Sequence, residues 1–485
     1  MCCFFVEIIL CFADLQLEAV YVLTTAYLAF IAAKHPNILR KFNGSMNRVM
    51  SPTLLLSCLL CFAAASILLT SLFLPAGIED DVNGFRGSRQ NHAMLSRIKS
   101  KKYFIAANFY NSESILSSFF IELMHLIDSL GYDRCFVSIW ENGSTDGTKN
   151  MLRNFEEHLN KLKVQNHIVT ENASLIELCQ QAGADECLTP HMFAHGVRDA
   201  TASTRIAMMA LFRNKPFEPL RQFYTAVREE APGMESGGST VRDFFASDAA
   251  LDQTKVLFFN DIYFAYQDII KLIDTNKMDY DLACALDFQN FKLYDLWVLR
   301  DINGLVVNPW FPFFWDTPSF FKIISGDPLP VYSCWNGVVV FDASVLGNRT
   351  GHMIRFRSWK NGEKRSPFPV TNRLSEEDIR TYNSNTFNFP HCTASECQLF
   401  SKDLWESGHT KIFVNPSVRV DYDISQRYLR ILFSPLVNFA SGLIWIFKGQ
   451  KYVEEIRKYT ELQRISSTRI PPINVRCGTD YYKEN

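Results

Sequence analysis

Short apolar runs that end on an amide or a carboxylate constrain this chain more than any other feature. YFIAANFY (103–110), CFVSIW (135–140) and HIVTEN (167–172) are rich in Phe, Ile and Val and suit buried strands. Two helix-length segments separate them. Ser112–Leu130 starts on an N-capping residue type, repeats Ile115, Phe119, Leu123, Leu126 and Leu130 along one face, and stops at Gly131. Lys149–Leu162 is a second amphipathic helix. Such β-α-β-α-β alternation predicts an α/β fold with a mostly parallel sheet flanked by helices, whose ligands collect at the carboxyl ends of the strands.

The series continues downstream. KVLFFNDIYF (255–264) and YDLACALDF (280–288) read as strands with polar ends, PVYSCWNGVVVFDAS (330–344) as a loop and then a strand, and TKIFVNPSVRVDY (410–422) as a strand with a Pro bulge. RDATASTRIAMMALFR (198–213) and SECQLFSKDLWESG (395–408) read as helices, and 228–250 and 345–390 as long loops. The net charge of −2 provides no electrostatic footing for a nucleic acid, so no such partner is expected.

Thr53–Leu74 carries no charge and is long enough to cross a bilayer as a helix. Arg40, Lys41 and Arg48 precede it, and Glu79, Asp80 and Asp81 follow it, so the positive-inside tendency puts everything after it on the far side of the membrane. The expected order is a cytosolic segment (1–52), an anchor (53–74), a polar stem (75–100), a catalytic domain (101–425) and a C-terminal extension with an apolar helix (426–485). Residues 19–33 form a second, shorter apolar stretch whose role the sequence leaves open. Of the 13 Cys, eight lie beyond the anchor without CxxC spacing, which argues for disulfides rather than a zinc knuckle, with Cys392 and Cys397 as candidates.

The stretch WENGSTDGT (140–148) supports two readings: a glycosylation sequon at Asn142, or a ligand loop at a strand end. Its position after one strand and before one helix favours the ligand loop and leaves Asn172 and Asn348 as the better sequons. A sheet of this kind that holds a nucleotide-sugar meets base and ribose with carboxylates and amides of its first strands. A later acid then ligates a divalent cation bridging the two phosphates, and hard oxygen ligands suit Mn²⁺ or Mg²⁺. Asn108, Glu141, Asn142, Ser144 and Asp146 are therefore expected on the donor, with Arg205 on a phosphate and Asn260 beside Asp261, the expected metal ligand. The usual second acid is missing, since Tyr263 occupies its place. Asp287 is the best-placed partner by strand logic, and Asp287 and Glu396 are the expected catalytic carboxylates. Trp335, Asn336 and Gly337 have the composition of a sugar-binding rim. The bland readings are plain turns for 141–146, a helix-terminal carboxylate for Glu396, a buried core indole for Trp335 and a surface ion pair for Arg205.

Taken in order, YFIAANFYNSESIL, VSIWENGSTDGT, VLFFNDIYF, ACALDF, SCWNGVVVFDA and SECQLF resemble the fungal capsule-associated mannosyltransferase family (glycosyltransferase family 69, cryptococcal α-1,3 type) over about residues 100–425. The resemblance implies a GT-A-like fold and a single-pass type II protein of the Golgi or ER with a luminal catalytic domain. It also implies a GDP-mannose donor, a mannose-containing acceptor, α-1,3 transfer with retention, and a role in capsule or cell-wall glycan synthesis. A UDP-sugar transferase and a catalytically silent, membrane-anchored glycan-binding protein remain the alternatives.

Overall fold

The computed structural model describes residues 89–431 except 182–199, 229–243, 246–248, 347–352, 359–391 and positions 290, 303, 305, 306 and 315, together with scattered residues of 433–442 and Arg476–Cys477. The expected anchor (53–74) and the 19–33 stretch lie outside the described residues, as does most of the 426–485 extension. Among the described residues no helix is long and apolar enough to cross a membrane.

A mixed sheet runs through the domain. Its strands are β1 (Lys102–Phe109), β2 (Cys135–Glu141), β3 (Gln165–Thr170), β4 (Thr254–Phe259), β5 (Leu282–Gln289), β6 (Lys292–Leu293), β7 (Arg300–Asp301), β8 (Leu329–Ser333), β9 (Val338–Asp342) and β11 (Ile412–Asp421). The spatial order is β3-β2-β1-β4-β9-β5-β11-β8-β7, with β6 folded back on β5, while β10 (Cys392–Thr393) and β12 (Arg476–Cys477) pair separately. Strands β1 to β4 are mutually parallel, β11 runs parallel to β5, and β9 is inserted antiparallel to both of its neighbours. The register of β11 on β5 slips between Val414 and Arg419, where the sequence places Pro416.

Helices cover both faces, which is why β1, β4 and β5 are apolar without alternation. Alternate residues still divide between two cores. Tyr103, Ile105, Ala107 and Phe109 pack with α1 (Glu113–Leu130), α2 (Thr148–Lys161) and the helix Tyr266–Ile273. Phe104 and Ala106 face the other way, toward α3 (Ala200–Asn214) and α4 (Glu218–Arg228), and the same core continues to α5 (Glu396–Glu406). The α1 stripe Ile115, Phe119, Leu123, Leu126 and Leu130 is buried as its spacing requires.

Two local expectations change. The run 330–344 is two strands, because Cys334–Gly337 turns the chain between β8 and β9. Cys397 is a free buried thiol, and the side chain of Cys392 lies outside the described residues; Cys284 and Cys334 are joined in a disulfide, and Cys179 is disulfide-bonded as well. The Cys284–Cys334 bridge ties the middle of β5 to the turn entering β9.

Candidate active site

Strand topology assembles this site. β9 lies between β4 and β5 and runs against both, so it enters the sheet at the edge where they end. Val338 pairs with Phe259 and Val339 with Cys284, and the Asn260 amide donates to the Gly337 carbonyl at 2.8 Å. The turn Trp335-Asn336-Gly337 is thereby wedged between the ends of β4 and β5. Gly337 has φ +81°, and an added Cβ would stand 2.7 Å from Val420 Cγ2. Gly337→Ala is expected to lower stability by about 2 kcal/mol, from left-handed strain plus overpacking. Urea denaturation checks this, and an unchanged midpoint would refute the close approach.

A buried polar network fills the space behind this turn. Asn336 Nδ2 donates to Asp287 Oδ1 at 2.7 Å, and Tyr422 Oη donates to Asp287 Oδ2 at 3.2 Å. Asn260 Nδ2 donates to Tyr422 Oη at 3.3 Å, and the Asp295 amide donates to Asp287 Oδ1 at 3.3 Å. Arg213 enters from the last turn of α3. Its Nε donates to Glu396 Oε1 at 2.7 Å and its Nη1 to Asn260 Oδ1 at 2.9 Å. Its guanidinium carbon lies 5.6 Å from the Phe258 ring centre and 5.5 Å from that of Trp335, within cation–π range.

Two carboxylates of this group reach solvent and two do not. Asp261 is exposed and Asp295 half-buried, whereas Asp287 and Glu396 are buried. Burial nevertheless pushes the Asp261 carboxyl up to about 6, against its own amide and Arg213. The Asp261 side chain thus touches water at the end of β4 while the surrounding protein disfavours its charged form. The Asp295 carboxyl is pushed up to about 7 by burial, then by the charges of Asp287 and Glu396, with Arg213 opposing. Burial likewise pushes Asp287 up to about 6, against hydrogen bonds from Asn336, Asp295 and Tyr422.

These shifts fix the sign of a pH effect. A carboxyl whose folded pKa is raised favours the folded state fully below its ordinary value of 3.8 and loses that contribution as pH rises through the folded value, about 7 for Asp295. The melting temperature is expected to fall between pH 5 and 7.5, and Asp295→Asn, which keeps an acceptor for the Val298 amide, is expected to flatten that slope. Melting curves across this range check it; parallel slopes for both proteins would remove Asp295 from the buried group.

The expected donor-side residues divide by what they touch. Glu141 is fully buried, and its carboxylate accepts from the amides of Ser144 and Glu171 (the latter at 3.0 Å), one on each oxygen, so it folds the loop. Ser144 Oγ accepts from the Asn111 amide at 2.9 Å. Asp146 accepts from the Glu113 and Thr148 amides, both at 3.1 Å; burial works to raise its pKa, but these bonds outweigh it and hold the carboxyl below its ordinary range. Asn108 Nδ2 donates to the Phe212 carbonyl at 2.8 Å and so fastens α3 to β1. Asn108 Oδ1 and Asn142 Oδ1 are buried without a partner. Asn142 is itself buried and Asn172 exposed, in keeping with Asn142 not serving as a sequon.

The expected acceptor rim is corrected outright. Trp335 and Asn336 are 0 % exposed, and Gly337 is buried with them. Trp335 packs edge-on against Phe356 at 5.0 Å and Phe400 at 5.8 Å, as a core residue. Asn336 serves Asp287 rather than a sugar hydroxyl. Glu396 starts α5, as its helix-terminal reading requires, but is also the buried counter-charge of Arg213. Arg205 is half-buried on α3 and acts electrostatically on Tyr294.

Arg213, Asp295, Tyr294 and Tyr422 were not anticipated. Arg213 had one signal: it follows Arg205 by two helical turns, which leaves both near one side of α3. Asp295 had none, because only the fold-back of β6 on β5, with Phe288 opposite Leu293, brings it to Asp287. Among the described residues no group of three or more His, Cys, Asp or Glu side chains is arranged to hold a metal ion.

The chain is 23% identical over 365 residues to an alpha-1,3-mannosyltransferase of Cryptococcus neoformans var. neoformans, covering 72% of this chain and 63% of that protein. The chain thus spans less than two thirds of that relative's length. Among solved structures, a mannosyltransferase from Pyrobaculum calidifontis aligns with TM-score 0.30 and 10% identity over 78% of this chain and 75% of its own. S. aureus TarS 1-349 aligns with TM-score 0.30 and 12% identity over 70% and 66%. The family described as cryptococcal mannosyltransferase 1 matches residues 102–403, which include every polar group of the site except Tyr422. The chain belongs to that family.

Proposed function

We propose that this chain is a hexosyltransferase that moves mannose from GDP-mannose to a mannose-containing acceptor, forming an α-1,3 linkage with retention in capsule or cell-wall glycan synthesis. The observation that carries the reading is the polar cluster at the ends of β4 and β5, where exposed Asp261 and half-buried Asp295 accompany the hydrogen-bonded groups of Asp287, Asn336, Tyr422, Asn260, Arg213 and Glu396. Family membership and the name of the cryptococcal relative support the mannosyl and α-1,3 parts. The unpartnered Oδ1 atoms of Asn108 and Asn142, at the ends of β1 and β2, supply acceptors that suit the N–H groups of a nucleobase. Anchorage by residues 53–74, with the domain in the lumen of the Golgi or ER, belongs to the same proposal, and the Cys284–Cys334 disulfide suits an oxidising compartment.

The residues present fit a divalent cation. Mg²⁺-type ions are usually held by one or two carboxylates plus substrate phosphates, and Asp261 offers an exposed carboxylate where a diphosphate would lie. When bound, Mn²⁺ or Mg²⁺ would neutralise charge on the departing diphosphate. The protein's own share is to exclude water behind Trp335, hold Glu396 and Asn260 through Arg213, and present Asp295. With a pKa of about 7, Asp295 is able to take a proton from an acceptor hydroxyl near neutrality. Tyr294, 51 % exposed and 4.6 Å from the Tyr422 ring, replaces Trp335 as the aromatic on which a sugar could rest.

Incubating the full chain with labelled GDP-mannose, Mn²⁺ and a mannobiose tests the reading. Transfer to the disaccharide is expected. Transfer from UDP-sugars alone would overturn the donor, and no transfer from any donor would favour the glycan-binding alternative.

A further inference from the structure

We infer that Arg213 is the protein's own ligand for the diphosphate of the nucleotide-sugar, an inference that rests on the proposed transferase function. In the sequence Arg213 is marked only by its two-turn spacing from Arg205, and its position near a helix C-terminus would otherwise be read as dipole complementation.

The cluster is acidic. Asp261, Asp287, Asp295 and Glu396 belong to it, so a diphosphate arriving there would be repelled unless a fixed cation offset them. Arg213 acts on Asp261, Asp295 and Glu396 at once. The residue is 8 % exposed, and its guanidinium lies against the faces of Phe258 and Trp335. Those walls hold the plane of the fork and keep water away from it.

The donor inventory is incomplete. Nε is committed to Glu396 and Nη1 to Asn260, while Nη2 makes no hydrogen bond among the described residues and is not enclosed by them. The outer nitrogen therefore faces solvent with its donors uncommitted, at the side of the guanidinium that an incoming acceptor can reach. A phosphate oxygen is the acceptor for which the planar fork is suited. Asn260, which accepts from Nη1, is the sequence neighbour of Asp261, and the Arg213 charge acts on the Asp261 carboxyl, so the guanidinium and the carboxylate that would hold a cation are placed to address the same diphosphate. Glu396 then has a second role: its charge tempers Arg213 and keeps product release feasible.

The test is binding of GDP, UDP and the corresponding nucleosides to the full chain at fixed Mn²⁺, by titration calorimetry. Arg213→Lys is expected to weaken diphosphate binding about tenfold or more while leaving nucleoside binding unchanged. Glu396→Gln keeps a hydrogen-bonding oxygen but removes the charge, and is expected to tighten diphosphate binding about threefold. A merely structural Arg213 would weaken nucleoside and diphosphate alike, or neither, and either result would overturn the inference. Should Arg213→Lys fail to fold, Glu396→Gln decides alone: tighter binding supports the assignment, and unchanged or weaker binding refutes it. If the unaltered protein binds neither GDP nor UDP, the transferase reading falls and this inference with it. If it binds one of them and the variants behave alike, only the role of Arg213 falls.

Discussion

Asp261→Asn is expected to lower the proposed mannosyl transfer by about three orders of magnitude, the effect of removing several kcal/mol of charge stabilisation from the departing diphosphate. The change is nearly isosteric, and the side chain it alters is exposed at the end of β4. The melting temperature should therefore stay within about a degree or two of the unaltered protein, as surface changes usually do. The pairing of lost turnover with retained stability is the informative result. Asp287→Asn would not give it, because Asp287 is fully buried and accepts from Asn336, Tyr422 and the Asp295 amide, so its loss damages fold and function together. Initial rates at saturating Mn²⁺ with parallel melting curves decide the matter. Turnover within threefold of the unaltered protein would remove Asp261 from the site.

The second large effect is on stability. Trp335→Ala is expected to cost about 4 kcal/mol, the usual range for deleting a large buried aromatic side chain. Trp335 is wholly enclosed by Phe258, Phe356, Phe400 and the Arg213 guanidinium. Its removal opens a cavity and takes away one wall of the guanidinium's slot. Tyr294→Ala provides the contrast: the ring is half exposed, so it should cost under about 1 kcal/mol while raising the KM for a sugar substrate. Urea denaturation and steady-state kinetics on both variants separate the roles. A small stability loss in Trp335→Ala together with a raised acceptor KM would restore Trp335 to a sugar-binding rim.

Much of the fold was legible because local pattern and tertiary demand coincide. The runs at 103–110, 135–140, 255–259 and 280–288 are apolar on both sides because the sheet is covered on both faces. The α1 stripe appears at helical spacing because a single face is buried. The position of Asp261 was legible for the same reason, since a polar pair after an apolar strand falls at the carboxyl edge wherever the strand pairs. In the loop 141–146, Glu141 and Asp146 accept from backbone amides, a role that the sequence does not distinguish from holding a donor. Carboxylates that bind a ligand and carboxylates that bind backbone amides carry the same letters, and Glu141 proves to be the second kind.

Residue types and their spacing were enough to establish an α/β domain with its chemistry at the strand ends, because side-chain periodicity and strand termination are local properties. The direction of β9 was not local. Its antiparallel insertion between β4 and β5 is set by how the whole sheet closes, and it turned Trp335 inward and set Asn336 against Asp287. The juxtaposition of Arg213 with Glu396, 183 residues apart, and of Asp295 with Asp287 likewise exists only once α3, α5 and the β5–β6 fold-back are packed. Charges meeting across such separations leave no trace in periodicity, so the site and its cation were decided by tertiary packing alone.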